Sequence, residues 1–150
     1  MFSRKANYAI RAAVFLAREY GRAPVKVERI AVSEKIPRKF LEAIMLDLKL
    51  AGVCRSTRGK QGGYVLAESP AKITLAQILQ AIGSPIAVLS CADPKTSGTC
   101  TDCAFEGSCP VRLVSEELQA SVRKVIEHKT LAALMHESDR LNVRELDFVI

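Results

Sequence analysis

The feature that most constrains this chain lies between Val27 and Leu66, where a helical period gives way to a strand period across a single glycine. Val27, Ile30 and Ala31 are spaced as the inner face of a short helix, Val27 to about Ser33. A connector, Glu34-Lys35-Ile36-Pro37, follows, and Pro37 has the fixed φ suited to a first helical position. A longer helix is predicted from Pro37 to Ala51, with Phe40, Leu41, Ile44, Met45 and Leu48 as its apolar stripe and Gly52 as its stop. Beyond Gly52, Val53-Cys54-Arg55-Ser56-Thr57 and Gly63-Tyr64-Val65-Leu66 read as two short strands. They are joined by a basic, glycine-rich tip, Arg58-Gly59-Lys60-Gln61-Gly62.

Short helix, tight connector, longer helix and hairpin is the order of a winged helix-turn-helix. The physics suits duplex DNA. A major groove about 12 Å wide admits one helix, and the first residues of that helix reach the bases. Here those residues are Arg38 and Lys39. The tip offers Arg58, Lys60 and Gln61 on a backbone freed by Gly59 and its glycine neighbours, and such a tip can enter a minor groove, where an arginine meets concentrated negative potential. Charge is placed accordingly. The chain carries a net +6, and +4 of it falls between Pro37 and Gly63, where Arg38, Lys39, Lys49, Arg55, Arg58 and Lys60 face only Glu42 and Asp47. Either feature alone would suit an ordinary solvated helix or hairpin; both in order, with the charge concentrated on them, favour a DNA-binding surface. Glu42 has two readings, an acceptor for a cytosine amino group or a partner within its own helix. The tip is not a nucleotide phosphate loop: no Gly-Lys-Ser/Thr ending is present, and a strand rather than a helix follows. With 5% aromatic residues and no Trp, recognition of single strands by stacking is disfavoured.

The flanking segments are helical. A first helix is predicted from Ser3, its N-cap, to Gly21, with Ala6, Ile10, Ala13, Val14 and Ala17 facing in and Phe15 and Leu16 widening the face. Thr74 and Gln77 form a capping box for a helix with Leu75, Ile78, Leu79 and Ile82 on its apolar side, stopped by Gly83 and Pro85. Pro110 opens a long helix to about Lys129, striped by Val111, Leu113, Val114, Leu118, Val122, Val125 and Ile126, and Thr130 caps a last helix to about Ser138. The expected fold is therefore mainly α with a small β-hairpin wing: a winged helix-turn-helix domain over 1–84, a cysteine-rich loop over 85–109, the long helix and last helix over 110–140, and a tail over 141–150. No apolar run approaches the roughly 20 residues a membrane helix needs, and the charge-broken N-terminal segment is no secretory signal, so a cytoplasmic location is expected.

Five cysteines remain to be explained. Cys54 stands alone in an apolar strand and is expected in the core. Cys91, Cys100, Cys103 and Cys109 are separated by eight, two and five residues. An odd total without a signal argues against a secreted disulfide framework and for a metal or redox site. Thiolates suit zinc or an iron–sulfur cluster. Structural zinc usually takes two close pairs, and only Cys100 and Cys103 are close here, whereas a loosely constrained loop can wrap a larger cluster. A metal-free thiol switch, a redox pair at Cys100 and Cys103, and idle cysteines are the other readings, and spacing alone does not choose among them. A thiol oxidoreductase is disfavoured because no βαβ pattern surrounds that pair. Cys109 precedes Pro110 at a helix N-terminus, where the dipole favours a thiolate. His128 and His136, on the last two helices, read as surface residues.

These residues together resemble the Rrf-two (Rrf2) family, that of IscR and NsrR. The likeness rests on Tyr8-Ala9-Ile10, Pro37-Arg38-Lys39-Phe40-Leu41-Glu42, Leu48-Lys49-Leu50-Ala51-Gly52, the wing from Arg58 to Ala67, Ile73-Thr74-Leu75, and a cysteine loop placed before a long helix. It implies a homodimeric transcription factor, a repressor by expectation, whose long helix pairs with its copy and which binds a pseudo-palindromic operator. The stripe on the long helix suits that pairing, and equally suits a monomer core. The likeness also implies a [2Fe–2S] or [4Fe–4S] cluster on three cysteines and a variable fourth ligand, with cluster state setting DNA affinity in response to iron, nitric oxide or redox conditions. Matched by motif, Cys91, Cys103 and Cys109 are the three, and Cys100 is extra, a candidate fourth ligand or a replacement for Cys103. The chain departs from the pattern where Arg112 stands at the position of a histidine ligand and Tyr8 stands in the region of an acidic one.

Overall fold

The computed structural model describes residues 3–59, 61–84 and 109–147, with side chains as far as Leu141. Among these the order is α1 (Arg4–Arg18), α2 (Val27–Ser33), α3 (Arg38–Leu50), β1 (Cys54–Thr57), β2 (Gly63–Leu66), α4 (Leu75–Ala81), α5 (Pro110–His128) and α6 (Leu131–Asp147). The mainly helical fold with a hairpin wing is as expected. α1 starts where the Ser3 hydroxyl accepts from the Ala6 amide. Its inner face is built on alanine: Ala6, Ala9, Ala12 and Ala13 are fully buried, which lets α1 pack closely against α3, α4 and α6. Leu16, Ile30, Leu41, Ile44, Met45, Leu48, Ile78 and Leu79 close around it, each such burial contributing roughly 1.5–3 kcal/mol before the cost of ordering the chain.

The connector between α2 and α3 turns at Lys35, in the left-handed region at φ 49°, and is pinned by buried Ile36, whose amide donates to Ala31 O at 2.9 Å. Pro37 does not occupy the first helical position. It is the N-cap, with ψ 126° and its carbonyl accepting from the Leu41 amide, so α3 begins at Arg38. α3 ends in a Schellman motif: Gly52 takes φ +76°, its amide donates to Lys49 O, and the Val53 amide donates to Leu48 O at 2.9 Å. That bond commits Val53 to the helix cap, which is why the strand starts at Cys54. Phe40 departs further from expectation. The buried line of α3 is Leu41, Ile44, Met45 and Leu48, and Phe40, about 100° around the helix from Leu41, is 58% exposed.

β1 and β2 pair antiparallel from Cys54 opposite Leu66 to Thr57 opposite Gly63. Tyr64 also exchanges two backbone hydrogen bonds with Val25, at 2.8 and 2.9 Å, which ties the wing to the segment before α2. Glycine is required here: a Cβ on Gly63 would lie 2.5 Å from Val25 O, and one on Gly62 2.4 Å from Thr57 O.

The second half of the chain docks on the first. The Thr74 capping box forms as predicted. Beside it Leu75 N donates to Lys129 O at 2.8 Å and Leu131 N to Ile73 O at 2.9 Å, so the junction of α5 and α6 is hydrogen-bonded to the start of α4. α6 does not stop near Ser138. No glycine or proline interrupts the chain from there, Arg18 bonds Asp139 at 2.8 Å and Ser138 at 3.0 Å, and the helix runs to Asp147. The predicted stripe of α5 divides. Ile126 is buried, while Val111, Leu113, Val114, Leu118, Val122 and Val125 are 38–66% exposed. Among the described residues these six side chains are not part of the buried core. No described helix is long and apolar enough to cross a membrane.

Candidate nucleic-acid interface

The first turn of α3 presents Arg38 and Lys39 outward, as the sequence predicts. Arg38 is 60% exposed and held from two sides: its Nε donates to Glu42 Oε1 at 2.7 Å, and its other edge meets Glu28 Oε1, on α2, at 2.7 Å. The hydrogen bond it donates to Glu42, and then the charge of Glu28, raise the guanidinium above its ordinary pKa. Of the two readings of Glu42, the structure shows the contact within its own helix. The other acid of the segment is also engaged, since Asp47 pairs with Lys5 at 2.7 Å and Lys5 in turn donates to Ile82 O. Lys39, Lys49, Arg55 and Arg58 are exposed and have no carboxylate partner among the described residues. The acids of the basic segment are thus neutralised within the protein, and its other described cations, Lys39, Lys49, Arg55 and Arg58, face solvent.

The wing tip turns through Gly59, at φ +106°, and closes with Gly62 N donating to Gly59 O at 2.9 Å. Arg58 and Gln61 are exposed beside that turn. Lys60 lies outside the described residues. The two basic elements, α3 and the wing, are joined without an intervening element, so one short segment carries both.

Sequence reasoning missed Phe40 as a surface residue beside Arg38 and Lys39. The signal was present: Leu41, Ile44, Met45 and Leu48 already complete the i, i+3, i+4, i+7 face without it.

Of the four clustered cysteines, Cys91, Cys100 and Cys103 lie outside the described residues. Cys109 is the half-buried N-cap of α5, in no disulfide, with its carbonyl accepting from the amides of Arg112 and Leu113. Its thiol stands at the start of the helix. Cys54 is a core residue, its sulfur 3.8 Å from Met45 O, and burial pushes its thiol up to about 12.

Comparison with known proteins agrees with this geometry. The family model Rrf2, described as an iron-dependent transcriptional regulator, matches residues 2–137. An rrf2-like regulator of the helix-turn-helix type from Rhodobacter capsulatus is 36% identical over 138 residues, covering 90% of this chain and 92% of that protein. Among solved structures, CymR of B. subtilis, titled the global cysteine regulator, superposes with a TM-score of 0.75 at 26% identity, over 91% of this chain and 97% of that one. The IscR of T. potens superposes with a TM-score of 0.71 at 26% identity, over 92% and 88%. These matches span the winged helix, the hairpin and the long helix alike, and the proteins are regulators rather than enzymes: this chain belongs to the Rrf2 family of helix-turn-helix transcriptional regulators.

Proposed function

We propose that the protein is a homodimeric repressor of a pseudo-palindromic operator, controlled by an iron–sulfur cluster on its cysteine loop. Arg38 and Lys39 enter the major groove, Arg58 enters the adjacent minor groove, and Gly59, Lys60 and Gln61 follow the backbone there. Two copies pair through the exposed stripe of α5, which gives two reading heads related by a two-fold axis. Cys91, Cys103 and Cys109, with Cys100 as candidate fourth, hold the cluster. The all-thiolate donor set fits it, and so does the place of half-buried Cys109 at the start of α5. When bound, a cluster supplies a centre whose integrity changes with iron supply, nitric oxide or redox state. Cys109 caps the helix that carries the seam, so a constraint on the loop bears on α5 directly.

The observation that carries the reading is the paired acids and exposed cations of α3 and the wing, on a chain whose long helix presents an unpartnered apolar stripe. The test is anaerobic purification with iron, sulfide and zinc analysis, then gel shifts of genomic fragments with loaded and apo protein. Near-stoichiometric iron and sulfide with unequal affinities is the expected result. Equal affinities refute cluster control. The likeness to CymR, a cysteine regulator by title, favours a second reading in which the same DNA-binding protein uses a metal-free thiol switch or zinc. Zinc alone, or no metal after reconstitution, is its outcome.

A further inference from the structure

Arg38 carries an inference about how DNA is selected, one that rests on α3 being the reading head. A guanidinium has five N–H donors. Two of those on Arg38 are engaged, by Glu42 on its own helix and by Glu28 on α2, both at 2.7 Å, and the group is still 60% exposed. The remaining donors are enough for the paired O6 and N7 acceptors of a guanine. The charge count around them is unusual for a DNA contact. One arginine and two carboxylates sum to −1, and adding Lys39 brings the cluster only to neutrality. A phosphate is drawn by net charge, and this cluster offers it none. A guanine edge is neutral and is drawn by directed donors, which the two carboxylates hold in place. The cations without carboxylate partners among the described residues, Lys39, Lys49, Arg55 and Arg58, supply the attraction to phosphate.

We propose that Glu28 and Glu42 make Arg38 a guanine reader instead of a phosphate anchor, so that Glu28 sets the ratio of operator to non-specific binding. Glu28 is a positioning residue: it acts through Arg38, from a different helix. Its removal frees a cation for indiscriminate phosphate contact and loosens the aim of the donors.

The experiment uses the full chain and a duplex selected by it from a random-sequence pool, with a scrambled duplex of the same composition as reference. Glu28→Gln is expected to tighten binding to the scrambled duplex by about two- to five-fold, the range of a single exposed ion pair, and to steepen its salt dependence. Binding to the selected duplex should stay within about two-fold of wild type by the same scale, so the selectivity ratio falls. Glu28→Asp should restore most of it. Single 7-deazaguanine substitutions, which remove N7 and leave pairing intact, should identify one guanine whose loss weakens wild type by at least about five-fold, and Arg38→Ala should be insensitive at that base. A Glu28→Gln protein that shifts both duplexes equally, or an Arg38→Ala protein that keeps every 7-deazaguanine penalty, overturns the proposal and leaves DNA binding intact. A wild-type chain that selects no duplex overturns the proposal and the DNA-binding reading together.

Discussion

Leu118 is where the pairing of two copies can be measured. It sits mid-way along α5, half exposed, between Val114 and Val122 on the same unpartnered stripe. Fully burying a leucine is worth about 1.5–3 kcal/mol, so closing the exposed half against a partner contributes roughly half of that in each copy. A two-fold interface counts it twice, so Leu118→Ala should weaken dimerisation by about 1.5–3 kcal/mol, a rise of roughly ten- to 140-fold in the dissociation constant. The monomer should lose less than about 1.5 kcal/mol of folding stability, because only half of the side chain is covered within its own chain. Ile126 is the control. It lies on the same helix but is 2% exposed, and Ile126→Ala should cost about 2–5 kcal/mol of folding stability instead. Sedimentation equilibrium of the reduced protein, run across a concentration series, reads the first quantity, and chemical denaturation the second. A wild-type chain that stays monomeric throughout the series, or a Leu118→Ala chain that dimerises as tightly as wild type, would refute the reasoning from this stripe.

Three further outcomes follow from the same geometry. Gly63→Ala would bring its Cβ to 2.5 Å from Val25 O, backbone against backbone, and should cost about 1–3 kcal/mol in a denaturant titration while loosening the wing. Cys54, whose folded pKa of about 12 exceeds its ordinary 9.0, keeps its proton in the native state after the unfolded chain has lost it. Stability should therefore fall as pH rises from about 9 toward 12, and Cys54→Ala should flatten that stretch of the pH–stability curve, compared by denaturation at each pH. Phe40→Ala should leave stability within about 0.5 kcal/mol, because the side chain is a surface one, yet weaken binding to a thymine-containing half-site, and replacing thymine by uracil should abolish the difference if the ring meets the methyl group.

Much of this fold was readable in the sequence because its punctuation is chemical. Ser3, Thr74 with Gln77, Gly52 and Gly59 each act within four residues of themselves, so their consequences need no tertiary information. The misreadings have the opposite character. Phe40 is apolar and one residue from a core position, and only the packing of α1, α2, β1 and α4 against α3 decides which arc of that helix is covered. The stripe of α5 was ambiguous for the same reason. A heptad-like run of valines and leucines looks alike whether its cover is another part of the chain or another chain. α6 outran its predicted end because what holds it, Arg18 on α1, lies 121 residues from Asp139 in sequence. For the candidate site, residue types were legible and their pairings were not: Arg38 was foreseen as a reader, but its grip by Glu28 needed α2 and α3 to be placed side by side.

The fold also confines where a signal at the cysteine loop can act. The C-terminal end of α5 is hydrogen-bonded into the core, through Lys129 O to the start of α4 and through the Leu131 amide to Ile73. Buried Ile126 and Leu131 fix the same end. The N-terminal end begins at Cys109, with Val111, Leu113 and Val114 exposed in its first turns. Among the described residues the backbone hydrogen bonds that tie α5 to the winged-helix half lie at its C-terminal end, so a force applied at Cys109 should turn the helix about that end. The held end is the one that touches α4, and α4 packs against both α1 and α3. A pivot of α5 therefore changes the seam between copies first, and the angle between the two reading heads through it, while the surface of each head stays as it is. Control through the loop should accordingly alter affinity for two half-sites at their natural spacing and leave affinity for an isolated half-site unchanged, which titration of single- and double-half-site duplexes with loaded and apo protein would test. A loop-dependent change on the isolated half-site would instead place the effect inside the head, along the path from α4 to α3.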